Sequence, residues 1–110
     1  MIAFSGKTIR VSGASLELEY PVADAFELED RIIVLFNPDA CTKKFGQFPN
    51  LVALRPTGER LWTAELPTTT SGDRYYKVAS RNPLVVYSIH SVECEIDIAT
   101  GRIKARRFSK

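Results

Sequence analysis

Two segments of the chain read as variants of one hairpin: Leu51-Val52-Ala53-Leu54-Arg55-Pro56-Thr57-Gly58-Glu59-Arg60-Leu61-Trp62 and Cys94-Glu95-Ile96-Asp97-Ile98-Ala99-Thr100-Gly101-Arg102-Ile103-Lys104. In each, an alternating apolar run meets a turn ending in Thr-Gly and resumes as a second alternating run. Period-two patterning on both sides of a glycine that is free to take positive φ is the signal of antiparallel strands, and an α-helix would need a stripe repeating every 3.6 residues instead. The pair therefore commits the chain to a sheet.

The remaining segments agree. Lys7 to Ser12 alternates with Ile9 and Val11 on one face, Gly13-Ala14 turns the chain, and Leu16, Leu18 and Tyr20 alternate with Glu17 and Glu19, so this is a hairpin with one wet face. Val22 to Leu28 is ambiguous, and a short helix over Ala23 to Glu29 is its helical alternative. Glu29-Asp30 reads as a tight turn into Arg31-Ile32-Ile33-Val34-Leu35-Phe36, whose unbroken β-branched character predicts the most buried strand. Asn37 to Pro49 has two prolines, a glycine and no period, and is longer than a hairpin loop. Arg74 to Ala79 and Leu84 to Ile89 flank Arg81-Asn82-Pro83 as a further hairpin, and Val92 to Ile98 with Arg102 to Phe108 form the last. The expectation is an all-β, antiparallel meander of about nine or ten short strands, arranged as an open sheet, a sandwich or a partial barrel, with residues 1–110 forming one domain.

Composition removes several classes of function. At 110 residues and 45% apolar content the chain is long enough to bury a core without metals or disulfides. Its 15 Lys and Arg against 13 Asp and Glu leave too little net charge to mark a nucleic-acid or membrane protein. No apolar stretch has the length of a signal peptide or a membrane span, which implies a cytoplasmic protein, and in that compartment Cys41 and Cys94 are expected as free thiols.

The offset of about 43 residues between the two hairpins resembles the blade repeat of β-propellers. A closed propeller needs typically four or more blades, and this chain has material for about two, so it does not close alone. More closely, Tyr20-Pro21-Val22-Ala23-Asp24, Arg31 to Phe36, Asn50 to Leu54, Gly58 to Trp62 and Glu95 to Arg102 running on to Phe108-Ser109-Lys110 resemble a group of small uncharacterised bacterial all-β proteins with propeller-blade-like hairpins. Some of these are found among immunity-type proteins of toxin systems. The resemblance implies a binding protein and carries no catalytic motif.

Each candidate site also has a packing role open to it. His90 and Cys94, four apart in a strand region, lie roughly 13 Å apart and cannot act together; Cys41 with His90 is the remaining thiol-enzyme pair. One histidine, two distant cysteines and scattered acids match no metal spacing, and there is no nucleotide-binding glycine motif, so no catalytic residue, metal or cofactor is assigned. Lys43, Lys44, Phe45 and Phe48 in the long loop form an apolar anchor with a basic rim, or else the phenylalanines close the end of the core. Arg102, Lys104 and Arg106, at period two, project from one face as a protein-binding stripe or as edge-strand protection. Trp62 is expected to pack.

Three functions follow: a non-enzymatic protein-binding domain that occludes a partner such as a toxin; a self-assembling β-module that pairs through its edges; and a Cys41-dependent enzyme. Neither nucleic acid nor membrane is expected as a partner.

Overall fold

The computed structural model describes residues 2–40 and 46–108. Lys43, Lys44, Phe45 and Cys41 lie outside the described residues. Among the described residues eleven strands, antiparallel to the strands they pair with, form three sheets. The first is β1 (Ile2–Ser5), β2 (Thr8–Val11) and β3 (Ala14–Glu17). In the second, β4 (Val22–Leu28), β5 (Arg31–Phe36), β6 (Leu51–Leu54) and β7 (Arg60–Thr63) lie in that order, and in the third β8 (Tyr75–Arg81), β9 (Leu84–Ser88), β10 (Val92–Ile96) and β11 (Ile103–Phe108) repeat the arrangement. Apart from a single 3-10 turn over Pro38–Ala40, no helix occurs among the described residues, so the ambiguous segment at Ala23 is strand.

The three sheets stack as layers with the second in the middle. Ile32, Val34, Phe36, Val52 and Leu54 face the first sheet and meet Ile9 and Val11, while Ile33, Leu35, Leu51 and Ala53 face the third and meet Tyr75, Leu84, Val86 and Cys94. This explains the unbroken apolar run of β5: alternation marks a strand with one wet face, whereas a strand covered on both sides has no polar positions to alternate with. Each layer boundary therefore has its own apolar core.

Turn chemistry sets the registers. Val11 pairs with Ala14 across Ser12 and Gly13, both at positive φ, 50° and 82°, the combination that a two-residue turn needs to match strand twist. Glu29, at φ 56°, and Asp30 connect Leu28 to its partner Arg31. Asn82-Pro83, a cis peptide, links Arg81 to Leu84. β1 escaped the sequence reading because its four residues are short and its lead-in, Met1-Ile2-Ala3, shows no alternation.

The two look-alike hairpins occupy the same place, the third and fourth strands of the second and third sheets. Their loops differ in length. In the first, Arg55 N–H donates to Glu59 O, and in the second Asp97 N–H donates to Arg102 O, so Arg55 and Asp97 are the equivalent positions and the second loop holds one more residue.

The loop between layers is also ordered by polar groups. Asn50 is fully buried; its amide nitrogen donates to Phe36 O (3.0 Å) and Tyr75 O (2.7 Å), and its Oδ1 accepts from Tyr75 N–H (2.9 Å). One side chain thus ties the end of β5 to the start of β8. Asp73, equally buried, accepts from Thr68 Oγ1 (2.6 Å) and Arg74 N–H (2.9 Å). Phe48 does not project as an anchor: it is 5% exposed and packs edge-on against Tyr20, 4.9 Å between ring centroids, beneath the Arg74 guanidinium. The apolar side chain closes the core next to Asn50, whose hydrogen bonds draw the chain inward two residues on.

Candidate protein-binding surface

Two faces of the stack remain open to solvent, and they differ in chemistry. The outer face of the first sheet carries Ser5, Thr8, Arg10, Ser15 and Glu17, small or polar side chains paired across β1, β2 and β3. The outer face of the third sheet is mixed. Tyr87 is opposite Glu93, which is opposite Arg107, and Val85 is opposite Glu95, which is opposite Ala105. Across these strands run an apolar column on β9, an acidic column on β10 and a basic column on β11. A shallow depression of about 400 Å³ lies between Pro83, Val85, Glu95 and Ala105.

Among the described residues four large apolar side chains stay exposed, and three of them gather at one end of this sheet. Tyr76 (48% exposed) enters β8 beside Ser88, the last residue of β9. Ile89 (45%) follows in the turn, and Phe108 (86%) is opposite Val92, where β10 begins. Tyr76 and Tyr87 have ring centroids 6.3 Å apart. An exposed tyrosine beside a half-buried one, with Arg107 two strands away, is the composition enriched at protein interfaces. Sequence reasoning missed this cluster, although Tyr75-Tyr76 held the signal: in a strand one of two adjacent aromatics must face away from the core.

The basic stripe does not project from one face as the spacing implied. Register passes from Glu95↔Ala105 to Ile96↔Ile103, leaving Lys104 as the extra residue of a β-bulge, and a bulge breaks the period of two. Lys104 pairs with Glu95 (3.5 Å) and Arg107 with Glu93 (2.7 Å) on the outer face. Arg106 is opposite Cys94 and reaches the other way, donating from Nη1 to Pro67 O (2.7 Å). Arg102 lies exposed in the residues leading into β11.

Charge is divided between the two halves. Residues 74–108 contain seven Lys and Arg and three acids, whereas residues 1–73 contain seven Lys and Arg and ten acids. The small overall charge thus conceals a basic third sheet, and such a local field steers an acidic partner.

The candidate chemical groups are separated. Cys94 is fully buried, and burial pushes its thiol up from its ordinary value, outweighing the hydrogen bond with Tyr75 and the Arg106 charge that act to lower it. The Tyr75 phenol is pushed up as well, first by burial and then by Cys94. A neutral, desolvated thiol is a poor nucleophile. His90 is exposed in the β9–β10 turn, with its backbone N–H donating to Ser88 Oγ (3.1 Å). Among the described residues no three His, Cys, Asp or Glu side chains converge as metal ligands, and no helix is long and apolar enough to cross a membrane. Trp62 packs as expected, 8% exposed, donating from Nε1 to Ile98 O (2.8 Å).

Comparison with known proteins finds one family model, described as a domain of unknown function, DUF7957, that matches residues 1–108. No curated protein and no solved structure matches the chain.

Proposed function

The chain belongs to the DUF7957 family, a domain of unknown function, and from the surface that its fold exposes we propose that it is a non-enzymatic protein-binding domain working through the outer face and open end of the third sheet. The observation that supports this reading is the exposure of Tyr76, Ile89 and Phe108 at one end of a basic sheet, with Tyr76 beside Tyr87, set against the polar outer face of the first sheet. The mechanism is occlusion. The apolar core between the second and third sheets fixes the strands that carry this face, so little ordering entropy is spent when a partner is covered. In its specific form this is an immunity-type role in the cytoplasm of a bacterium, the covered surface being the active site of a toxin. Self-assembly through strand edges is the less favoured form, because two copies of β11 side by side would set basic residues against basic residues.

A photo-crosslinking residue placed at Tyr76 or Tyr87, with Ser15 on the opposite face as control, tests the proposal in cells of the source organism. Adducts with a second protein at positions 76 and 87 and none at 15 are the expected result. Equal labelling at all three positions, or none, overturns it.

A further inference from the structure

The third sheet ends in a free edge whose chemistry selects what can join it. From Lys104 to Phe108 no backbone group of β11 bonds to anything beyond β10 among the described residues, whereas the start of the edge is occupied: Glu65 N–H donates to Gly101 O (2.9 Å) and Glu65 Oε1 accepts from Ile103 N–H (3.0 Å). Beyond the bulge, Ala105 to Phe108 run in unbroken register with Val92 to Glu95. The other edges are shorter or less regular: β1, β3 and β7 have four residues each against six in β11, β4 has one register shift and β8 has two. β11 is thus the edge best formed for one more strand.

Its side chains decide the identity of that strand. Between Gly101 and Phe108 the sequence has four Lys and Arg and no acid. Like charges on neighbouring strands are unfavourable, so a second β11 is rejected, while alternating acids on the outer face would meet Lys104 and Arg107 across the new ladder. Phe108, 86% exposed, offers the apolar contact at the far end. Resting on the protein-binding reading above, we infer that β11 is a docking edge for an extended acidic segment of a protein partner, which adds as a fifth strand to the third sheet. Main-chain hydrogen bonds would supply affinity, and the basic side chains would supply selection. Nucleic acid is the poorer occupant, because a phosphodiester chain has no alternating N–H and C=O groups with which to continue the ladder of β11.

The test uses a short peptide alternating glutamate and valine, its lysine counterpart, and the glutamate peptide N-methylated at alternate residues so that it keeps its charge and loses its ladder hydrogen bonds. Backbone amide resonances and hydrogen exchange of the whole protein are followed by NMR. The glutamate peptide is expected to shift the amides of Lys104 to Phe108 and to slow their exchange by about tenfold, with an effect that weakens as salt rises. The lysine and N-methylated peptides are expected to do neither. Lys104→Glu with Arg107→Glu should abolish the response, and Arg102→Glu alone, outside the strand, should weaken it should the double variant not fold. Equal binding of the N-methylated peptide overturns strand addition, as does a protein mass that doubles without peptide. Tighter binding of a single-stranded oligonucleotide overturns the choice of partner. No peptide response combined with retained adducts at Tyr87 overturns docking at the edge and leaves the protein-binding reading; loss of both removes both.

Discussion

Gly101 shows how a single residue joins two layers. A Cβ built there would come within 2.7 Å of the Trp62 ring, and the residue is at φ +78°. Trp62, from β7 of the second sheet, lies flat against this glycine while its Nε1 bonds Ile98 O in the turn of the third. Gly101→Ala therefore meets both backbone strain and a ring that cannot move without breaking its hydrogen bond, and it should cost about 2–4 kcal/mol in urea unfolding. Gly13→Ala provides the comparison: its φ is +82°, but nothing lies within 4 Å of the added carbon, so strain alone applies and about 1 kcal/mol is expected. Equal losses for the two variants would refute the docking of Trp62 as the reason for Gly101. The buried pair Tyr75 and Cys94 makes a second prediction at this scale. Both groups have raised pKa values in the folded protein, so the fold favours their protonated forms. Stability is complete below the unfolded values and falls as pH rises past about 9 for the thiol and about 10 for the phenol. Chemical denaturation between pH 8 and pH 11, in steps of about one unit, should show this decline, with a shallower slope for Tyr75→Phe.

Among the elements, the strands that the sequence announced were those with a simple solvent relationship. β2 and β3 alternate because one face is wet, and β5 is continuous because neither is. Both patterns translate directly into burial, and Ile32 to Phe36 are all buried. What stayed hidden depends on events distant in sequence. Nothing local to Arg102–Arg106 marks the bulge at Lys104, which arises from fitting β11 to β10 while Ile103 packs on the core. The fate of Phe48 was equally open, since whether it anchors a partner or closes a core is decided by Tyr20, Phe36 and Arg74, none of them adjacent. The candidate surface was the least legible part, because it consists of single side chains from β8, β9, β11 and a turn that only the sheet brings to one end. Its energetics should follow this division: Ile33→Ala, in the central strand, should cost about 2–5 kcal/mol, while Tyr87→Ala, on the outer face, should cost roughly 1 kcal/mol or less and act on partner adducts instead. Thermal or urea denaturation of the two variants checks the order.

For the whole molecule, the layers determine which chemistry is reachable. Cys94 lies between the second and third sheets, so a thiol reagent should modify it only as fast as those layers separate. At neutral pH its labelling should be slow and should accelerate with denaturant in parallel with unfolding; prompt labelling without denaturant would show that the core opens locally. Measuring this in a variant with Cys41→Ser isolates the Cys94 signal. The charge division acts at the same scale, since a basic third sheet joined to an acidic remainder gives the molecule a preferred approach for a negatively charged protein at low ionic strength.

The second sheet is in contact with both apolar layers and lies between the two outer sheets. Losing either outer sheet would wet half of β5 and β6, leaving the other without its support, so the three cannot melt one at a time. Denaturation should follow a single transition, with the amide protons of Ile33, Val34 and Val52 the last to exchange. A partner that grips only the third sheet would then slow exchange at the far side of the molecule, in β2, by protecting the shared wall between them.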